Sequence, residues 1–403
     1  MNNLVYYWMR KYYRNHLFCS IGSFLLVWIS FHNPIADAAS VEETSPPIQR
    51  GLISIESDGI DRKLFREVFS YYGAKPPKSK DGGKLKSAYG TTWSVYVPEG
   101  YQKDEPYGVV VYINSSDSGE IPHQWIPIFD RHNLIWIGPN HAGNRVYPKI
   151  NTLWRHALAL ESLTQIKERY HIDDDRIYVS GRSGGGRIAS YVAIINSNLF
   201  SGGYYIVGCN PFKPIEIAAE VFMPGFKKEP TGSQLFRARQ DRYVMLTGSE
   251  DFNREEMRAV YDFYIEENFR HVTFLDVPGM GHDQPPVDWF EKGIIALDKP
   301  LKVKTQKVFN QAVIMEKHNQ FGKALAGFET ATQCRVCSDD FIKLAEKKVA
   351  LLREEYAKTV SAIELAIDSN DKSRAKSLMN KYKKNWKSVA EEDIKRLTAR
   401  LAK

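Results

Sequence analysis

The apolar positions of this chain change their spacing along its length, and the changes mark out the elements. Short runs of β-branched and aromatic residues bounded by turn residues predict strands at "TTWSVYVP" (91–98), "YGVVVYIN" (107–114), "NLIWIGPN" (133–140) and "RIYVSG" (176–181). "GGYYIVGC", "RYVMLTG" and "HVTFLDVPG" continue the series. Between them the period lengthens to that of a helix, most clearly in "TLWRHALALESLTQIKERY" (152–170), where Leu153, Ala157, Leu160 and Leu163 recur at intervals of three and four. Strands alternating with helices predict an α/β fold with a mainly parallel sheet covered on both faces. Ahead of them, residues 41–80 offer one amphipathic helix, around "RKLFREVFSYYG".

After residue 300 the pattern changes. Prolines, scattered up to Pro300, stop, and residues 301–403 carry 22 Lys/Arg against 13 Asp/Glu. The net charge of +7 on the 403-residue chain is therefore a property of its last quarter, and a domain boundary is expected near 298–301. "FNQAVIMEKHNQFGKALAGFETAT" (309–332) reads as two short amphipathic helices across "HNQFG", and the spacing of Ala312, Gly322, Ala324, Leu325 and Phe328 resembles part of a tetratricopeptide hairpin. "AIELAIDSNDKSRAKSLMNKYKKNW" is a weaker echo. Two such pairs are too few for a free-standing solenoid, so the tail is expected either to pack on the first domain or to bind a protein segment. Its basic runs fit a solvated helix face or attraction to an anionic cell-envelope polymer; a nucleic-acid partner is not expected of an exported chain.

Export is read from the N-terminus. Arg10, Lys11 and Arg14 precede the apolar run "LFCSIGSFLLVWISF" (17–31), and the small residues Ala36 and Ala38 flank a cut before Ala39. As a helix that run reaches roughly 22 Å, short of the ~30 Å hydrocarbon core. A cleaved secretion signal and a periplasmic or extracellular protein are expected, with an uncleaved membrane anchor as the alternative. The chain then divides into a signal (1–38), a leader (39–90), an α/β domain (91–300) and an α-helical domain (301–403). Loss of the signal removes Cys19 and leaves Cys209, Cys334 and Cys337. The "CRVC" pair lacks a βαβ context and a second ligand pair, so a local disulfide or two inert thiols are expected, with no metal or cofactor.

The candidate chemistry lies in "YVSGRSGGGRIAS" (178–190). A strand ending at Gly181 and a helix starting after Ser183 would put Ser183 on a sharp, strained turn, with Gly181 and Gly185 small enough to let the two elements approach. The helix N-terminus would aim free N–H groups at a developing oxyanion. Such a serine needs a base and a carboxylate to orient it. "SEDFN" places Glu250 and Asp251 just past one strand, and "PGMGHDQP" places His282 beyond the last. Ser183 as nucleophile, His282 as base and Asp251 as orienting acid follow in chain order, with Glu250 as the substitute acid and a helix cap as the other reading of Asp251.

From residue 91 to about 297 the chain resembles the α/β-hydrolase superfamily, and particularly the secreted esterases similar to feruloyl esterases and polyhydroxyalkanoate depolymerases. "VYVPEGY", "YHIDDDRIYVSGRSGGGRIAS", "GSEDFN" and "GMGH" stand at that group's second strand, nucleophile elbow, acid loop and histidine loop. The resemblance implies an exported serine hydrolase that cleaves a carboxylic ester, small or polymer-linked, through an acyl-enzyme. Where such esterases carry His-Gly, this chain has "YINSSDSGE". The oxyanion donors are then expected to be the backbone N–H groups of Gly184 and Ser115, with Asn114 adjacent.

Asn114, His141, Asn144, Arg145 and Trp154 are candidates for substrate contact, against ordinary surface polarity, because loops at the carboxyl edge of a parallel sheet build pockets. Trp125 and Trp289 either line an apolar acyl subsite or pack in the core. Two other functions stay open on these residues: a hydrolase fold kept for binding without turnover, with the tail as working surface, and a serine peptidase with the same order of residues.

Overall fold

The structure, a computed structural model, describes residues 48–74, 84–85 and 90–402. The expected export signal and Cys19 lie outside the described residues. Ten strands are described: β1 (Gly51–Ser57), β2 (Thr91–Val97), β3 (Tyr107–Ile113), β4 (Leu134–Pro139), β5 (Ile172–Arg182), β6 (Gly202–Ile206), β7 (Ile215–Ala218), β8 (Val221–Met223), β9 (Arg242–Gly248) and β10 (His271–Val277). The helices are α1 (Arg62–Tyr71), α2 (Ile126–Arg131), α3 (Asn151–Lys167), α4 (Gly184–Ile195), α5 (Gly232–Ala238), α6 (Arg254–Glu266), α7 (Val287–Lys317), α8 (Phe321–Thr332), α9 (Asp339–Asp368), α10 (Lys372–Trp386) and α11 (Glu391–Ala402).

Eight strands form one sheet in the order β1-β2-β4-β3-β5-β6-β9-β10. The β1–β2 and β2–β4 pairs are antiparallel and all the others parallel. The β7–β8 pair is a separate antiparallel hairpin. Every residue of β3 and β9 is buried, as expected of central strands covered on both faces. Alternation then sorts their side chains into two cores. Val109, Val111, Ile113, Tyr243 and Met245 pack under α1, α3, α4 and α6. Val110, Tyr112, Val244 and Leu246 face α2 and α7. This is the α/β-hydrolase architecture, and all seven predicted strands are present. β1 and the β7–β8 hairpin were not foreseen: β1 is a partly exposed edge strand, and the hairpin strands are only four and three residues long.

The C-terminal helices form a third core, in which Phe309, Ala312, Ala324, Leu325 and Phe328 meet Tyr382, Trp386 and Leu397. The junction expected near 298–301 falls inside a single 31-residue helix, α7, which continues through Pro300. Its first half buries Phe290, Ile294 and Leu297 against the sheet, and its second half buries Phe309 and Ala312 in the helical core. A buried ion pair fixes the first half: Arg176 on β5 donates to both oxygens of Asp298 at 3.2 and 2.8 Å, and the Tyr178 hydroxyl donates to the same carboxylate at 2.7 Å. Cys334 and Cys337 form a disulfide in the α8–α9 turn. Cys209 is a buried free thiol whose pKa burial pushes up to about 12, which keeps it protonated and inert.

Candidate active site

Ser183 occupies the one-residue corner between β5 and α4 with φ 56° and ψ −122°, a region costly for a residue with a Cβ. The surroundings hold it there. Its N–H donates to the Ile206 carbonyl at 2.8 Å, and its own carbonyl accepts from Arg187 N–H at 3.1 Å, which starts the helix. The corner closes only because two neighbours lack side chains: a Cβ on Gly185 would lie 1.9 Å from the Ile113 carbonyl oxygen, and one on Gly181 would lie 2.5 Å from the Gly185 carbonyl carbon. A third glycine, Gly184, abuts the next loop, where a Cβ would come within 2.2 Å of Asn144 Oδ1. As the first helical residue it keeps an N–H without an intrahelical partner.

The three residues drawn from distant parts of the sequence meet here. His282 Nε2 lies 2.9 Å from Ser183 Oγ, and His282 Nδ1 lies 2.7 Å from Asp251 Oδ1. With Nδ1–H donating to the carboxylate, Nε2 is left as an acceptor for the serine hydroxyl. The Asp251 side chain is fully buried, and it also accepts from Thr247 Oγ1 at 2.7 Å and from Asn253 N–H at 3.1 Å. Glu250 is exposed. Asn253, not Asp251, is the N-cap residue of α6.

Several residues around this chain of hydrogen bonds escaped the sequence reading. Arg187 on α4 donates to Asn253 Oδ1 at 3.2 Å and pairs with Glu256, while Asn253 Nδ2 donates to the Val207 carbonyl at 2.8 Å, so the acid loop is tied to the elbow helix. Phe252 is 77% exposed and stacks on the His282 ring, centroids 4.1 Å apart. Buried Arg155 on α3 donates to Asn144 Oδ1 at 3.0 Å and to the Asn114 carbonyl at 2.8 Å, bridging the two loops that flank Ser183. Burial lowers its pKa to about 10 against the opposing field of Asp117, and it stays charged at neutral pH. Arg187, Phe252 and Asn253 fall inside quoted segments, but nothing in those segments singles them out, and Arg155 carries no motif. Each is an ordinary residue until the fold gives it a partner.

A pocket of about 480 Å³ opens on Ser183. Residues 115–117 of the loop after β3 line it, with Asn144 and Arg145 of the loop after β4, Arg182, Ser183 and His282. Ser115 lines the same pocket as Ser183, and its carbonyl accepts from Asn144 N–H at 3.0 Å. Asn114 is turned into its own loop, donating to the Ser118 carbonyl at 3.0 Å, and does not line the pocket. Nor does His141, whose backbone N–H donates to the Asp117 carbonyl at 2.7 Å. The tryptophans do not form an apolar subsite here. Trp125 is in the core, stacked on Phe290 at 3.8 Å; Trp154 packs edge-on against Phe65; and Trp289 lies beneath the Lys292 ammonium.

Comparison with protein-family models and with curated protein sequences gives no match. Among solved structures the chain is similar to an S-formylglutathione hydrolase from Staphylococcus aureus, at 16% identity over 62% of this chain and 96% of that one, TM-score 0.41. It is also similar to a ferulic acid esterase from the anaerobic fungus Anaeromyces mucronatus (16% identity, 55% and 92% covered, TM-score 0.38). A poly(3-hydroxybutyrate) depolymerase from Bordetella parapertussis gives 19% identity, 51% and 82% covered, and a TM-score of 0.38.

Proposed function

We propose that this protein is a serine hydrolase that cleaves carboxylic esters through an acyl-enzyme. The observation that carries the reading is the unbroken chain of contacts from Ser183 Oγ through His282 to buried Asp251, with the serine on a strained corner at a helix N-terminus. Ser183 Oγ attacks the ester carbonyl carbon as His282 Nε2 takes its proton, and Asp251 holds the imidazole in the tautomer that can accept it. The carbonyl oxygen becomes an oxyanion, for which the Gly184 and Ser115 N–H groups are the donors. Collapse expels the alcohol, which takes the proton from His282. Water then repeats the sequence on the acyl-enzyme, releasing the acid and restoring Ser183.

Export by residues 1–38 belongs to the same proposal and rests on the basic residues, the apolar run and the Ala36/Ala38 spacing. Stopped-flow hydrolysis of p-nitrophenyl acetate tests the catalytic reading. It should release a burst approaching one p-nitrophenol per chain if deacylation is the slower step, and Ser183→Ala should lose both burst and turnover while folding normally. Turnover retained in that variant would contradict it.

A further inference from the structure

We infer that the site selects esters bearing an oxyanion, such as a carboxylate, near the scissile bond, and that Arg145 is the residue that selects them. The inference rests on the ester-hydrolase reading above and specifies its substrate class.

The first ground is what the pocket lacks. Every residue lining it is polar or charged, and the aromatic side chains that could have held an apolar acyl group are packed elsewhere: Trp125 and Trp154 are buried in the core. A long acyl chain gains its affinity from apolar area removed from water, about 0.8 kcal/mol per buried methylene, and among the described residues lining the pocket there is no apolar side chain to bury it against. Phe252, the exposed aromatic nearest the site, is stacked on the His282 ring and is not part of the lining.

The second ground is a cation without a partner. Two arginines, Arg145 and Arg182, line the pocket, and buried Arg155 joins the Asn114 and Asn144 loops behind it. Buried Arg155 is in the field of Asp117, whose Oδ1 also accepts from Gly143 N–H at 3.2 Å. Arg182 stands 3.7 Å from Asp283. Arg145 is exposed and, among the described residues, has neither a hydrogen bond nor an ion pair. Arg145 is therefore the lining cation without a carboxylate against it, on the pocket wall, one residue after Asn144, the side chain against which Gly184 closes. A guanidinium presents a planar fork of N–H donors that matches a carboxylate or phosphate and is weakly hydrated, so it can pair with a substrate anion at modest desolvation cost. Such a pair would add binding to a hydrophilic, anionic ester that a neutral one of the same shape cannot obtain.

The test uses the full chain and two matched pairs of esters. In one the charge is on the acyl side: mono-p-nitrophenyl adipate against its methyl ester, read by p-nitrophenol release. In the other it is on the alcohol side: 4-acetoxybenzoate against its methyl ester, with each rate divided by the uncatalysed rate. The ratio of kcat/KM for anionic over neutral ester should be about ten in at least one pair, and should fall as NaCl is raised from 0.05 to 0.5 M, because exposed charges are screened. Arg145→Gln should lower the ratio about tenfold, and Arg145→Glu should bring it below one. Since the side chain is exposed and unpaired, the melting midpoint should move little, which separates loss of selectivity from loss of fold. A ratio at or below one in both pairs, or a ratio indifferent to Arg145→Gln, would overturn the inference while leaving ester hydrolysis standing. No turnover on any of the four esters would overturn both.

Discussion

Thr247 donates its hydroxyl to Asp251 Oδ2 across 2.7 Å, with both side chains shut away from water. Thr247 is the penultimate residue of β9, so the sheet itself aims the carboxylate that holds His282. Replacing Thr247 by Val keeps the shape and removes the donor. Loss of one partner of a buried, charged hydrogen bond costs about 1–3 kcal/mol. Thr247→Val should lower both kcat on p-nitrophenyl acetate, by about tenfold, and the free energy of unfolding by that amount, whereas Thr247→Ser should recover most of the rate.

The two adjacent acids of "SEDFN" should separate cleanly. Asp251→Asn leaves the packing but stabilises the wrong imidazole tautomer, and a loss of about 10³–10⁴ in kcat is expected. Exposed Glu250, whose backbone N–H is its tie to the histidine loop through the Met280 carbonyl at 3.1 Å, should tolerate Gln with less than a twofold change. Steady-state rates for the two variants check this, and the reverse ranking would move the orienting role to Glu250.

The strands and the meeting of Ser183, Asp251 and His282 were legible because each leaves a local mark: a period of two, a glycine-flanked serine, an acid or histidine just beyond an apolar run. Residues that support them left none. Arg155 sits in the helical pattern of α3 as one polar residue among apolar ones, and its role in joining the Asn114 and Asn144 loops depends on contacts 41 and 11 residues away. Arg187 and Asn253 meet across 66 residues for the same reason. The end of the sheet domain was blurred by a different effect. Pro300 and the charge shift mark a real change of surroundings, from sheet to helical core, but the backbone of α7 carries through it because helix geometry does not require the packing partner to stay the same. The use of Trp125 stayed open in the sequence, between subsite and core, because a tryptophan near a functional loop looks alike whether it faces the pocket or, as here, Phe290.

His156 on α3 should make the fold sensitive to acid. It is wholly buried between the Tyr72 hydroxyl, 2.9 Å from Nδ1, and Asn196 Oδ1, 2.7 Å from Nε2. Burial, only partly offset by the Asn196 hydrogen bond, lowers its pKa from 6.5 to about 4. The unfolded chain therefore binds a proton at a pH where the folded one does not. Its contribution is complete above about pH 6.5 and is lost as the pH falls toward 4, up to about 3 kcal/mol in all. Urea unfolding at pH 7.0 and pH 4.5 should show the wild-type chain losing more stability than His156→Asn; an equal loss would exclude His156 as the source.

The proposed hydrolysis depends on Ser183 being a nucleophile activated by His282. Labelling with a fluorophosphonate probe tests it most directly, because the reagent reacts with a serine only where a base and an oxyanion site are already assembled. After proteolysis and mass mapping, the adduct should lie on Ser183 at close to one per chain, vanish in Ser183→Ala and form at least a hundredfold more slowly in His282→Ala. A folded wild-type chain left unlabelled, or labelled on another residue, would contradict the account.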